Sequence, residues 1–285
     1  MLRSFKKRVA IVVPIYKENL TAEEKISLKH LRYFLSKYDK FLVVPKRFYV
    51  SEEYVDFSIK RFPEKYFTGK ENYSKLLVSS RFYKEFLDYE YILIYQLDAL
   101  VFSDKLLEWC DKGYDYVGAP WYKEEVMLAI GWKLQKDDVG NGGFSLRKVS
   151  SCLKVLKIYN SPFNTFKREI KKYYTLLLDI KRWLKCPRRI IKFLISRNKL
   201  LIFRRFVYSI IKNNYLQKNE DLFWAFDAKK YYPNFKIPPP DIAVSFSFEV
   251  GPRFCFKKNN YKLPFGCHGW FIYERDFWEP FLLKE

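Results

Sequence analysis

Short aliphatic runs alternate with longer polar stretches through the first half of the chain, the pattern of a mostly parallel sheet with crossover helices. Val9-Ala10-Ile11-Val12-Val13 and Phe41-Leu42-Val43-Val44 are apolar at successive positions, as strands covered by helices on both faces must be. Between them Thr21-Ala22-Glu23-Glu24 predicts a helix start, with Thr21 as the cap and Glu24 at the capping-box position. A helix over about Ser74 to Leu87 leads into a strand at Tyr91-Ile92-Leu93-Ile94-Tyr95, followed by Gln96 to Phe102, where the single carboxylate Asp98 interrupts an apolar run. Tyr114 to Trp121 reads as a further strand ending in a turn.

Beyond Asn160 the pattern changes. Residues 160–216 carry 15 Lys and Arg against Glu169 and Asp179, a net +13 of the chain's +21. Phe166, Ile170, Tyr173, Leu177, Ile180 and Leu184 recur there at spacings of four and three, one face of an amphipathic helix. Pro187 suits the first turn of a second helix, and residues 200–208 are apolar apart from two central arginines. After this segment Asn219-Glu220-Asp221-Leu222 returns to a helix-start pattern, Ile237 to Pro240 marks a loop, and Ala243 to Glu249 alternates like a strand. Residues 1–159 and 217–285 are therefore expected to form one α/β domain, with 160–216 inserted as a basic helical subdomain.

Charge and composition narrow the partners. With 49% hydrophobic and 20% aromatic residues, global disorder is excluded. A charge of +21 calls for an anionic partner: nucleic acid, anionic lipid or a phosphate-bearing substrate. Five cysteines without a C-x-x-C pair argue against a disulfide framework or a Cys-rich zinc site, and fit a reducing cytoplasm. The apolar run after the basic amino terminus contains Pro14, stops at Tyr16 and lacks a cleavage site, so it reads as a buried first strand rather than a leader. No run of about 20 uncharged apolar residues offers a membrane span.

Four clusters carry candidate chemistry. A carboxylate ending an apolar strand, as Asp98 does, is a structural cap or binds a cation or ligand at the sheet end. Gly140-Asn141-Gly142-Gly143 is the one Gly-dense loop, either a tight turn or a place where backbone amides approach a ligand. It lacks the spacing and following Lys of a P-loop. Glu220 and Asp221 are a helix-start acidic pair or contain a general base. His268, flanked by Gly266 and Gly269, is a surface residue or a metal or phosphate ligand, whereas His30 lies in an amphipathic helix.

Together, in this order, the four clusters resemble a glycosyltransferase of the GT-A fold, and specifically a bacterial family of presumed glycosyltransferases catalogued as a domain of unknown function. The resemblance covers residues 8 to 150 and 217 to 275. It implies a Rossmann-like, mostly parallel sheet and a nucleotide-sugar donor, a UDP-sugar first, held through Mn²⁺ or Mg²⁺. Asp98 matches the last Asp of the metal-binding Asp-x-Asp motif and His268 the late histidine ligand, while Gln96 stands where the first Asp is usual. Being neutral, Gln96 is the poorer ligand for a hard cation. Pro14, Ile15 and Tyr16 match the nucleotide-base site, with Lys75 and Arg81 as donor contacts. Asn141, Gly142 and Gly143 match the loop lining the sugar, Trp121 a stacking surface for it, and Asp221, or less readily Glu220, the base of an inverting single displacement.

The resemblance implies a glycan or polyprenyl-linked acceptor. The basic segment 160–216 adds an expected anionic membrane surface, which would put the protein on the cytoplasmic face of the plasma membrane. Two rivals are a nucleic-acid-binding protein and a membrane- or partner-binding module without catalysis. The first lacks a reader motif and is not expected.

Overall fold

The computed structural model describes residues 7–170, 174 and 219–284. In chain order its strands are β1 (Lys7–Pro14), β2 (Asp39–Pro45), β3 (Ser58–Phe62), β4 (Tyr89–Tyr95), β5 (Leu100–Val101), β6 (Tyr116–Val117), β7 (Pro120–Trp121), β8 (Asp138–Val139), β9 (Phe144–Lys148), β10 (Ser247–Phe248) and β11 (Gly266–Cys267). The main sheet has the order β3-β2-β1-β4-β9-β6. β1, β2, β3 and β4 are parallel, while β9 runs antiparallel to both β4 and β6, so five of the six strands point one way. The mostly parallel α/β architecture expected from the alternating runs is therefore present.

Local chemistry explains the crossovers. Helix α1 (Ala22–Phe34) starts with the complete capping box, Thr21 accepting from the Glu24 amide and Glu24 accepting from the Thr21 amide. Its buried face includes His30, whose Nε2 accepts from the Leu283 amide, leaving Nδ1 to donate to the Val101 carbonyl. This histidine is held neutral by burial. The helix expected over 74–87 is two, α2 (Lys70–Leu77) and α3 (Ser80–Lys84), because Ser79 ends one and caps the other at the Phe82 amide. Strand β3 escaped the sequence pattern. It lies at the sheet edge with Ile59 42% exposed beside Lys60 and Arg61, charges of the kind that blunt an edge strand.

The strand expected from Tyr114 to Trp121 splits into β6 and β7, which pair in different sheets. Gly118 lies between them, where a Cβ would stand 1.7 Å from the Gly140 carbonyl oxygen and only glycine fits. The strand expected over 243–249 shrinks to β10, since Pro240–Ala243 forms a helical turn begun by Pro239 and Pro240. Helices α4 (Leu106–Asp111), α5 (Lys123–Ile130) and α6 (Val149–Tyr159) complete the first part of the chain. After the basic segment comes α7 (Glu220–Leu222), which continues through a π-helical turn at Phe223–Asp227 into Ala228–Tyr231.

The largest core cluster packs Ile11, Val13, Leu42, Val44, Leu93, Phe144 and Leu146 of the sheet against Leu28 and Leu31 of α1. The chain divides into two units, Met1–Leu156 with Asn219–Glu285, and Lys157–Lys218. In the second unit residues 162–170 are helical, and Phe163, Phe166, Ile170 and Tyr174 are exposed. The rest of the 166–184 periodicity, the turn at Pro187 and the apolar stretch 200–208 lie outside the described residues. Among the described residues no helix is long and apolar enough to cross a membrane. Cys110, Cys152, Cys255 and Cys267 are buried and free.

Candidate active site

In an open parallel sheet ligands collect beyond the carboxyl ends of the strands. Here β1 ends at Pro14 and β4 at Tyr95, and the antiparallel β9 begins where β4 ends, with Tyr95 opposite Phe144. The Gln96 amide donates to the Gly143 carbonyl at 2.8 Å, so the reversal of β9 brings the glycine turn alongside Gln96-Leu97-Asp98. A cavity of about 620 Å³ opens there. Its wall contains Pro14, Ile15, Tyr16, Gln96, Asp98, Asn141, Gly142, Gly143, Glu220, Asp221 and His268, uniting all four clusters singled out in the sequence.

The turn is built around its side-chain neighbours. Asn141 adopts the left-handed conformation (φ 68°), and its Oδ1 accepts from the Gly143 amide at 2.7 Å. Its buried Nδ2 has no hydrogen-bond partner. A Cβ on Gly142 would lie 1.6 Å from Glu220 Oε1, and one on Gly143 would lie 1.9 Å from His268 Nε2. Glycine is needed at both positions because a carboxylate and an imidazole press directly on the backbone.

His268 stands between three side chains. Its Nδ1 is 2.9 Å from Glu249 Oε1, and its Nε2 is 3.1 Å from Asp98 Oδ1 and 3.4 Å from Gln96 Oε1. Burial alone would lower the imidazole pKa, but the Asp98 and Glu249 carboxylates override it and push it up to about 10. Burial likewise opposes ionisation of Asp98, and His268 reverses the balance and holds its pKa below the ordinary value. Asp98 Oδ1 is buried without an aligned hydrogen-bond donor despite the nearby imidazole.

Some of these atoms are donors of the kind a divalent cation takes. Nε2 lies from each of the two oxygens at a separation near that of neighbouring ligands of an octahedral ion, about 3 Å for bonds near 2.1 Å. Glu249 holds the other ring nitrogen, the usual arrangement behind a liganding histidine. Asp98, His268 and the Gln96 amide oxygen are the groups that would hold the ion. Among the described residues no three or more His, Cys, Asp or Glu side chains group to hold a metal; beside Asp98 and His268 the neutral Gln96 Oε1 is the further oxygen at hand.

The acidic pair divides its duties. Glu220 is buried and its Oε2 accepts from Arg147 Nη2 at 2.8 Å. Burial pushes its carboxyl up to about 7, against the pull of Arg147. Asp221 Oδ1 accepts from the Leu222 amide at 2.7 Å, and burial, reinforced by Glu249, raises its pKa. Both face the cavity at the start of α7, directly before the π-helical turn, a feature frequent at functional sites.

Three expected residues are placed elsewhere. Trp121 is 5% exposed and does not line the cavity: its ring covers Gly140, and its indole N–H donates to Glu249 Oε2 at 3.0 Å. Lys75 donates to Asn72 on the outer side of α2, and Arg81 is exposed on α3. In their place the wall includes Lys17, which pairs with Glu24 at 2.8 Å, and Lys70 and Tyr73 of α2. Burial raises the pKa of the Tyr73 hydroxyl. Glu249 and Lys70 had a readable signal, a carboxylate closing an alternating strand and a Gly-Lys pair opening a helix; Tyr73 had none.

A family model described as a protein of unknown function, DUF5672, matches residues 56–268. The chain belongs to the DUF5672 family. The match takes in the glycine turn, the acidic pair and, as its last residue, His268. No curated protein matches this DUF5672 chain in sequence. Among solved structures it is similar to a glycosyltransferase involved in glycosylation of the major capsid of PBCV-1, at 8% identity over 96% of this chain and 98% of that one, with a TM-score of 0.44. It is also similar to the galactosyltransferase LgtC in complex with donor and acceptor sugar analogs, at 11% identity over 91% and 86% of the two chains and a TM-score of 0.44. A third likeness is the glycosyltransferase GlyE of Streptococcus pneumoniae TIGR4, at 10% identity and a TM-score of 0.40, where the match takes in 98% of this chain and 61% of GlyE.

Proposed function

We propose that this DUF5672 protein is a GT-A-type glycosyltransferase that moves a sugar from a nucleotide-sugar, a UDP-sugar foremost, to a hydroxyl of a glycan or polyprenyl-linked acceptor. The observation that carries the reading is the convergence of Asp98, the Asn141–Gly143 turn, Asp221 and His268 on one cavity at the carboxyl ends of β1 and β4. In this reading Tyr16, 64% exposed on the wall, and Ile15 receive the base. Lys70 would face the diphosphate, and Asp98, His268 and Gln96 would hold Mn²⁺ or Mg²⁺. A bound divalent ion supplies charge neutralisation for the departing diphosphate.

Asp221 then accepts the proton of the acceptor hydroxyl as that oxygen bonds to the anomeric carbon, and the bond from that carbon to the diphosphate oxygen breaks with inversion. A carboxyl whose pKa is raised by burial is the better proton acceptor for this step. The Asn141 Nδ2, buried without a partner on the same wall, is a donor for a sugar hydroxyl.

The same proposal places the acceptor at an anionic membrane surface on the cytoplasmic side, with 160–216 as a basic insertion in a catalytic domain made of 1–159 and 217–285. It is supported by the net +13 of that segment, by the division of the chain at Lys157 and Lys218, and by the exposure of Phe163, Phe166, Ile170 and Tyr174 at 73%, 65%, 51% and 62%. Spaced three, four and four, these side chains form one apolar stripe able to enter a lipid interface.

Thermal unfolding against a panel of nucleoside diphosphates, with and without Mn²⁺, tests the donor site. A ligand at one hundred times its Kd stabilises the fold by about 2.7 kcal/mol. The expected result is a shift selective for one nucleotide and lost in Asp98→Ala; no shift with any nucleotide would end the proposal.

A further inference from the structure

Alternation along β9 sends Phe144 and Leu146 into the main core and Ser145 and Arg147 to the opposite face of the sheet. Arg147 is completely buried there. Its Nε donates to Ser145 Oγ at 3.0 Å and its Nη1 to the Tyr83 hydroxyl at 3.2 Å. The remaining nitrogen, Nη2, donates twice, to the Gly142 carbonyl at 3.2 Å and to Glu220 Oε2 at 2.8 Å. The Tyr116 ring lies 5.6 Å from the guanidinium carbon, and the Tyr116 hydroxyl donates to the Asn141 carbonyl.

A buried ion pair of this kind is weak evidence for stability, because well-packed apolar side chains often hold the same space as well or better. What an apolar pair lacks is direction. One nitrogen of Arg147 fixes the distance between the glycine turn and the residue directly before Asp221, and Ser145 and Tyr83 fix the plane of the guanidinium. With no side chain on Gly142, the other oxygen of Glu220 closes on the turn from the cavity side.

We propose that Arg147 is a positioning residue: from behind the cavity wall it clamps the Gly142 carbonyl to the Glu220 carboxylate and thereby sets where Asp221 stands relative to the turn. The catalytic part of this inference rests on Asp221 acting as the base.

The test is the double variant Arg147→Met/Glu220→Leu, which removes both charges together, with Tyr83→Phe as a milder variant that removes one acceptor. Both are expected to unfold within a few degrees of the native chain. Amide hydrogen exchange is expected to be at least tenfold faster in residues 140–144 and 219–222 of the double variant, and unchanged in β1 and β2. With the donor found by the nucleotide panel, kcat is expected to fall at least tenfold while the donor KM stays within twofold, a split that simple loss of folded protein does not produce.

Unchanged exchange in both segments overturns the inference, and so does faster exchange with unaltered kcat. If the double variant does not fold, Tyr83→Phe decides by the same two readouts, with at least threefold changes expected. If no nucleotide stabilises the native chain, the donor reading fails by itself, and the exchange measurement still decides whether Arg147 holds the wall.

Discussion

Replacing Gly143 by Ala probes the crowding of the glycine turn most directly. The added Cβ would sit 1.9 Å from His268 Nε2 and 2.8 Å from Gln96 Oε1, whereas ordinary contact begins at 3.4 Å. The imidazole must therefore recede by about 1.5 Å, more than its 2.9 Å and 3.1 Å contacts with Glu249 and Asp98 can absorb within hydrogen-bond reach. Each contact involving an ionised group contributes about 1.5–3 kcal/mol, and stranding one partner of a buried pair costs about 3–5 kcal/mol. Gly143→Ala is thus expected to lose about 3–5 kcal/mol in urea denaturation at neutral pH with a chelator present. Gly113→Ala is the control: Gly113 has φ 70° but nothing within 4 Å of the added Cβ, so only left-handed strain of about 1–2 kcal/mol is expected. In a double-mutant cycle with His268→Ala most of the Gly143→Ala loss should disappear, because the colliding ring is gone. Equal losses at Gly143 and Gly113, or no coupling to His268, would refute the packing argument.

Three further outcomes are expected. The His268 pKa is raised, so its contribution to metal-free stability is fully present below about 6.5 and is lost as pH rises toward about 10; the stability gap between the native chain and His268→Gln should narrow over that window, and a constant gap would mean the imidazole is neutral in the fold. Asp221→Asn should lower transfer by about 10²–10⁴-fold while leaving the nucleotide-induced thermal shift intact, and near-native turnover would remove Asp221 from the role of base. Vesicles containing anionic lipid should sediment the protein in a salt-sensitive way, each basic residue near the surface contributing about 1 kcal/mol. Phe163→Ser/Phe166→Ser/Ile170→Ser should weaken that binding at least tenfold, and binding equal to the native chain would exclude the stripe as the inserted face.

Much of the sheet was legible because its strands obey local rules. β1, β2 and β4 are apolar on both faces, and α1 carries a full capping box, so neither needed tertiary information. Legibility failed where a neighbour decides the conformation: β3 is an edge strand set by its pairing with β2 and by tertiary contacts of Lys60, Arg61 and Phe62, and the 243–249 alternation is cut short by the helical turn at Pro240. In the site, Asp98, the glycine turn, the acidic pair and His268 stood out because their residue types are anomalous for their positions. Trp121 was misplaced because an aromatic side chain reads alike whether it faces a ligand or covers a glycine. Arg147 acts through a partner 73 residues away, a distance at which spacing carries no signal.

The short pairing of β7 with β8 separates two jobs of the chain. Pro120 lies opposite Val139 and Trp121 opposite Asp138, closing the excursion that contains α5 just before the glycine turn begins. With its two ends stapled together and Val126 packed beside Trp121, the excursion returns the chain to the glycine turn at a fixed point, so that β9 keeps its register and Gln96 the carbonyl it grips. The staple thus hands the turn's position to the packed core around Trp121 rather than to the sheet alone.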